Sequence, residues 1–290
     1  MSENLKSERV AIVTGASSGI GEATAHCLAK AGFSVVLAAR RADLLDRIVS
    51  NIREGGGKAM SVPTDLSDAE QTSALGRTTL DAFGRVDVLV NNAGYGPPFA
   101  LEQMDRTAMR HVFDVNLLSG MQLIAELAPI MRGQGGGRII NISSLTRYVG
   151  APLAASYAAT KGGMEAMTAC MRLELSPWNI QLSLIVPGFV DTPTFDKSRE
   201  AGLHLRDDPS NPYRNLMTDL DEFASDQLKS AVPPEDVGRA VVQAATARSP
   251  KTRYFVPKSA RTAARMFGIL PERTADRLLL KMYKWGPGHE

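Results

Sequence analysis

Short apolar runs alternate with amphipathic stretches along most of this chain. Residues 10–13, 33–39, 59–63, 86–90, 138–144, 180–186 and 252–256 form seven brief, mostly apolar runs. Such runs suit parallel strands buried on both faces. Between them, apolar positions recur at helical spacing over 22–31, 42–54, the stretch ending at Phe83, 105–131, about 155–176 and 233–247. The rhythm predicts an α/β fold: a parallel, doubly wound sheet flanked by helices. Right-handed crossovers in such a sheet place ligands at the carboxyl ends of the strands.

Two regions break the rhythm. Residues 193–233 carry no strand signal and mix Phe195, Leu203, Leu205, Leu216, Met217, Leu220 and Phe223 with many acids. A connection this long is a functional lid or a disordered loop; short helices over a site are expected. After residue 257 the chain continues for a C-terminal extension, 258–290, in which two amphipathic helices separated at Pro271 are predicted. Seven cations against three acids give the extension a net charge of +4, leaving −2 for the rest. Two readings fit it. It is a basic amphipathic element lying on an anionic membrane, or a tail packed on its own domain or on a partner subunit. The domain division is therefore 1–257, with the lid at about 193–233, and 258–290.

Composition narrows the classes. A net charge of +2 gives no reason to invoke nucleic acid. Cys27 and Cys170 are the only cysteines; both sit at helical spacing among apolar residues and read as buried thiols. No disulfide framework and no metal-ligand spacing is present, which suits a reducing cytosol. The start, residues 1–9, is polar, and no apolar run is long enough to span a bilayer. A cytoplasmic protein is expected. Asn141-Ile142-Ser143 fits a glycosylation pattern but falls inside a predicted strand.

The chemistry-bearing residues fall at strand ends. The first strand runs into Thr14-Gly15-Ala16-Ser17-Ser18-Gly19-Ile20-Gly21 and then a helix. Glycines there admit a pyrophosphate close to the backbone, and the helix N-terminus offers free N–H groups. The spacing Gly-x-x-x-Gly-x-Gly differs from the commoner Gly-x-Gly-x-x-Gly. The second strand ends at Ala39, followed by Arg40 and Arg41 where an acid would bind a ribose 2′-hydroxyl; arginine instead accommodates a 2′-phosphate. NADP(H) is thus favoured over NAD(H). Asp65 caps a turn, bonds the adenine, or does both. Asn116 lies inside a helix, where its amide competes for backbone bonds. Tyr157 and Lys161 stand one helical turn apart, and an ammonium beside a phenol draws its pKa down toward working pH.

Together these motifs resemble the short-chain dehydrogenase/reductase superfamily. Thr14-Gly15-x-x-x-Gly19-x-Gly21, Asn91-Asn92-Ala93-Gly94, Asn116, Ser144, Tyr157-x-x-x-Lys161 and Pro187-Gly188 stand in its order and spacing, over roughly residues 8 to 192. The resemblance implies a Rossmann-like, doubly wound, seven-stranded parallel sheet, and an oxidoreductase that moves hydride between a nicotinamide and a carbinol carbon. In it Tyr157 is the acid or base and Ser144 the donor to the substrate oxygen. Lys161 also holds the nicotinamide ribose, and Asn116 kinks its helix around a relay water. Cofactor contacts are implied at Gly15, Ser17, Ser18, Gly19, Ile20, Gly21, Arg40, Arg41, Asp65, Leu66, Asn92, Ala93, Gly94, Val115, Tyr157, Lys161, Pro187, Gly188, Val190 and Thr192, with no metal.

On this reading Phe189 and Phe195 face a small-molecule substrate. Tyr95, Pro97, Pro98, Thr146 and Tyr148 line the pocket or merely pack. The tail resembles those of bacterial relatives of hydroxysteroid and retinol dehydrogenases, which implies a hydrophobic alcohol/ketone pair such as a steroid, retinoid or aryl carbinol. The alternatives are a ketoreductase of small acyl ketones and a non-catalytic NADP(H)-sensing regulator. Pairing of the helices at 105–131 and 155–176 into a homodimer or homotetramer is expected by analogy.

Overall fold

The β-branched runs place seven strands side by side in one parallel sheet, in the order β3-β2-β1-β4-β5-β6-β7, in the computed structural model, which describes residues 9–286. The predicted start at 1–8 and Glu290 lie outside the described residues. The strands are β1 (Val10–Thr14), β2 (Ser34–Ala39), β3 (Lys58–Pro63), β4 (Val88–Asn91), β5 (Gly137–Ile142), β6 (Ile180–Pro187) and β7 (Arg253–Val256). All five residues of β1 and all six of β2 are buried, as expected for strands covered on both faces. The strand order reverses beside β1, between β1 and β4, which is where an open α/β sheet forms its ligand crevice.

Crossover helices supply the two covering layers. These are α1 (Gly19–Lys30), α2 (Ala42–Glu54), α3 (Ala69–Phe83), α4 (Arg106–Phe113), α5 (Ser119–Gly133) and α6 (Ala155–Leu175). One apolar cluster packs Leu28, Leu45, Ile48, Ile52, Val237 and Val241 on one face of the sheet. Another packs Leu75, Leu123, Ile124, Leu127 and Met131 on the other. Asp68 caps α3 by accepting from the backbone N–H of Glu70 and Gln71.

Three expectations are corrected here. The single helix expected over 105–131 is two helices joined by a π-helical turn, Asp114–Leu118, centred on Asn116. One extra residue per turn lets that amide point inward instead of competing with the ladder. The fourth strand begins at Val88, because Asp87 turns its carboxylate to the Val10 N–H and to Arg85. Cys170 is exposed, since it lies on the outward side of α6 while Thr168 and Met164 face in; Cys27 is half-buried. Asn141 is fully buried and donates to Thr168 at 2.8 Å, so the glycosylation pattern is internal.

The lid folds into α7 (Thr194–Ala201), α8 (Leu203–Arg206) and α9 (Arg214–Leu228), followed by α10 (Pro234–Thr246). Its two ends are pinned together: Val190 bridges Val232, and Asp191 N–H donates to the Val232 carbonyl at 3.0 Å. A third apolar cluster lies under it, built from Ala100, Leu153, Leu216 and Met217, with Trp285 packed against it.

The extension forms α11 (Ala260–Ile269) and α12 (Glu272–Met282), separated at Pro271 as expected. Of its two readings, packing on its own domain is the one the structure displays. Ala260, Ala264 and Tyr283 are buried, Tyr283 meets Phe223 edge-to-face at 5.1 Å, and Lys284 reaches Glu222 at 3.3 Å. No helix among the described residues is long and apolar enough to cross a membrane.

Candidate active site

The site is built where β1, β4, β5 and β6 end. Thr14, the last residue of β1, donates its hydroxyl to the Val90 carbonyl at 3.2 Å and accepts from the N–H groups of Asn92 and Ala93. Asn92 returns the contact through its amide, 2.8 Å from the Thr14 carbonyl. The glycine turn and the 91–94 segment are thereby locked side by side. Gly19 has φ +59°, and a Cβ there would lie 3.1 Å from Thr192, so glycine is required on both counts. Thr192 and Pro193, a few residues past the Pro187-Gly188 turn, therefore sit against the same loop that Ser17, Ser18, Ile20 and Gly21 form.

This turn fits a dinucleotide phosphate. Ser18 occupies the N-cap of α1 without a side-chain bond to its first turn, which leaves N–H groups for an anion. Arg41 donates to Ser17 Oγ at 2.8 Å and Ser18 Oγ at 3.0 Å. Arg40 lies apart from that pair; its charge acts on Asp65 and Tyr95. Asp65 accepts from the backbone and hydroxyl of Ser67, and these bonds hold its carboxyl below the usual range. Leu66 beside it is buried, and Val115 lies in the π turn.

The reacting end gathers four side chains from three elements. Asn116 Oδ1 accepts from Tyr95 N–H at 3.0 Å, and its Nδ2 donates to the Tyr95 carbonyl at 2.8 Å and to Thr160 at 3.2 Å. It therefore clamps the loop after β4 onto α6. A Cβ on Gly94 would stand 3.3 Å from both Asn116 Oδ1 and Lys161 Nζ. Lys161 is buried and donates to the Ile142 carbonyl, the last of β5, at 2.8 Å. Its Nζ lies 5.6 Å from the Tyr157 ring centre. Ser144 stands just past β5, where its hydroxyl donates to Thr146 Oγ1 at 3.1 Å and opposes the rise of the Tyr157 phenol's pKa. A Cβ on Gly96 would lie 3.1 Å from Tyr157 Cγ, so the chain presses directly on that ring.

The electrostatics differ from the expectation in one respect. Burial pushes the Tyr157 phenol above its ordinary value, opposed by the Ser144 hydrogen bond, so the phenol is raised and not lowered. Burial also brings the Lys161 ammonium down to about 8. An ammonium committed to a backbone carbonyl is turned partly away from its neighbour, and desolvation of the phenol outweighs its pull.

Where β6 leads into the lid, Phe189 stacks on Phe195 at 5.7 Å and meets Phe223 edge-to-face at 6.0 Å. Phe223 in turn carries Tyr283. Pro98 packs toward the lid, where a Cβ on Gly202 would meet it at 2.9 Å; Pro97 is buried. Thr146 bonds Ser144. Tyr148 is turned out of the pocket: its hydroxyl donates to Glu165 at 2.6 Å, and burial with that bond keeps it protonated.

Four groups escaped the sequence reading. Glu165, one turn beyond Lys161, is buried and accepts from Ser143, Tyr148 and Arg253 at 2.7, 2.6 and 2.7 Å. Its spacing on α6 was the available signal. Tyr283, Phe223 and Lys197 are brought in by lid and tail packing, which no local pattern foretells.

A family model described as short chain dehydrogenase matches residues 9–202. A 3-oxoacyl-(acyl-carrier-protein) reductase of Synechocystis sp. is 38% identical over 185 residues, 63% of this chain and 75% of its own. Among solved structures, a metagenomic short-chain oxidoreductase in complex with NADP is 31% identical, with a TM-score of 0.69 over 85% of this chain and 96% of its own. A short chain dehydrogenase/reductase from Burkholderia phymatum in complex with NAD is 28% identical, with a TM-score of 0.79 over 97% and 96%.

Proposed function

Because the chain belongs to the short-chain dehydrogenase family, and is an oxidoreductase of CH–OH groups with a nicotinamide cofactor, we propose that it interconverts a lipophilic secondary alcohol and its ketone with NADP(H). The observation that carries this reading is the Tyr157 phenol, buried one turn from Lys161 and acted on by Ser144; the cluster of Phe189, Phe195 and Phe223 is taken as the substrate wall.

When bound, the nicotinamide supplies hydride in reduction and takes it up in oxidation. Arg41 and Arg40 hold the 2′-phosphate end, with Ser17, Ser18, Gly19, Ile20 and Gly21 at the pyrophosphate. Asp65 and Leu66 flank the adenine. Gly15, Asn92, Ala93, Gly94 and Val115 line the path to the site. Pro187, Gly188, Val190 and Thr192 hold the nicotinamide end. Tyr157 gives its proton to the substrate oxygen in reduction and removes one in oxidation. A phenol kept neutral by burial is suited to the first role, and the Ser144 bond stabilises the phenolate needed for the second. Ser144 donates to the same substrate oxygen as charge develops there. In reduction Lys161 returns a proton to the phenolate and takes one up from solvent beside Asn116, in oxidation the flow runs the other way, and the same ammonium holds the ribose.

The aromatic wall favours an aryl or steroid-like substrate, since offset and edge-to-face rings prefer flat apolar partners. NADPH oxidation with a ketone panel, from aryl and alicyclic ketones to short acyl thioesters, tests the reading. Preference for the bulky apolar ketones supports it; turnover confined to acyl thioesters replaces it with the small-acyl-ketone reading, which the Synechocystis relative's name favours. Binding of NADPH with no turnover on any ketone leaves the sensing regulator. Acids across the lid, including Asp207, Asp208 and Glu222, oppose docking of an acidic carrier protein.

Two further parts of the proposal concern assembly. Exposed Leu118, Met121 and Leu173 on the helices flanking β5 support a homodimer or homotetramer through that face, checked by light scattering. Exposed Ile269, Leu278 and Met282 beside Arg273, Arg277 and Lys281 support peripheral contact with an anionic bilayer. Liposome flotation of the intact chain against a form ending at 257 tests it; equal behaviour of the two rejects it. Two unbridged thiols suit a cytoplasmic setting.

A further inference from the structure

Lys197 sits on the first helix of the lid, 179 residues away in sequence from the Ser18 hydroxyl it donates to at 3.4 Å. The same hydroxyl accepts from Arg41 at 3.0 Å. Two cations from distant parts of the chain thus converge on one small group. They do so at the N-terminal end of α1, the positive pole of a helix. Among the described residues neither Arg41 nor Lys197 forms an ion pair; the nearest opposing influence on Lys197 is Glu200, one turn along α7. Burial and the Arg41 charge both depress the Lys197 amine, so the arrangement costs free energy as it stands. A gathering of positive charge without a carboxylate is stabilised by an anion that belongs there.

We propose that Lys197 and Arg41 form a two-sided grip on the 2′-phosphate of the dinucleotide, so that the lid itself reads which cofactor is bound. This rests on the NADP(H) reading above. Arg41 follows β2, where the strand-end residue meets the adenosine ribose, and the Ser17 and Ser18 hydroxyls hold its guanidinium in place. Lys197 closes the grip from the opposite side. The consequence reaches the substrate, because Phe195 lies two residues before Lys197 on α7 and stacks on Phe189. Phosphate capture at Lys197 therefore orders one wall of the substrate pocket. NADP(H) closes the lid, and NAD(H), lacking the phosphate, leaves Lys197 without its partner.

The test is equilibrium binding of NADPH and NADH, read by fluorescence, to the intact protein and to its Lys197→Ala, Lys197→Arg and Arg41→Ala variants. Limited proteolysis of the lid is followed in parallel. The proposal expects Lys197→Ala to weaken NADPH about ten-fold, the loss of one charge-assisted contact, with NADH unchanged. Lys197→Arg restores NADPH binding. NADPH protects the lid of the wild type more than NADH does, and Lys197→Ala abolishes that difference. If Arg41→Ala alone lowers NADPH affinity, Lys197 has no part in the grip, while the cofactor reading stands. If Lys197→Ala weakens both dinucleotides equally, it serves the pyrophosphate and the 2′-phosphate assignment is overturned. If neither variant moves the NADPH-to-NADH ratio, the cofactor reading falls and this inference falls with it.

Discussion

Lys161 Nζ donates to the carbonyl of Ile142 across 2.8 Å, tying α6 to the last residue of β5. The bond sets where the ammonium can reach and explains why it does not simply lean on Tyr157. It also has a thermodynamic signature. Lys161 has its pKa brought from 10.5 to about 8 by burial, so between those values the unfolded chain holds the extra proton. Stability contributed by this group is therefore lowest below pH 8 and rises as pH climbs toward 10.5. Tyr157 acts in the opposite sense: its raised value contributes stability that is complete below pH 10 and lost above it. Urea midpoints are expected to rise from pH 8 toward 10 and then fall. Lys161→Met removes the rising limb; a Lys161→Met protein with the same slope as wild type contradicts the assignment.

Glu165 holds Ser143 and Tyr148, the residues that bracket Ser144, with one carboxylate. Glu165→Gln cannot satisfy both donors and Arg253. Turnover is expected to fall with little change in KM, and stability by ~1–3 kcal/mol. If Glu165 works by positioning Ser144, then Ser144→Ala and Glu165→Gln are not additive in kcat. Additive losses show a purely structural role.

Gly96 lets the loop after β4 lie against the Tyr157 ring. Gly96→Ala is expected to displace that ring and lower kcat while NADPH still binds, as read by nucleotide fluorescence. Unchanged kcat means that the loop yields instead.

Tyr283 carries the extension onto the lid through Phe223 and is buried, with its phenol pushed up to about 12. Tyr283→Ala leaves a cavity beneath the lid. We expect KM for bulky ketones to rise and stability to drop by about 3 kcal/mol, by the usual cost of deleting a buried ring. Tyr283→Phe, which keeps the ring, restores both. An unaltered Tyr283→Ala protein detaches the tail from the site.

The sheet was legible, and so was the gathering of the candidate site at its strand ends, because each depends on local pattern. Buried β-branched runs announce strands, and Tyr157, Lys161, Ser144 and the glycine turn keep spacings tied to those strands. Tertiary contacts were not legible. That Tyr148 turns toward Glu165, that Tyr283 reaches Phe223, and that Lys197 meets Ser18 all follow from packing between different elements of the chain. The sense of the Tyr157 shift was missed for a related reason: spacing reports that a lysine is near, whereas desolvation depends on everything else that surrounds the phenol. Cys170 was misplaced because α6 turns one side of an apolar-looking stretch outward.

The central claim is that the Tyr157 hydroxyl moves the proton. Single-turnover reduction of a reactive ketone by NADPH, comparing wild type with Tyr157→Phe at matched cofactor occupancy, tests it most directly. The account predicts a rate lower by ~10²–10⁴-fold with NADPH affinity unchanged. A Tyr157→Phe protein that reduces the ketone at the wild-type rate contradicts it.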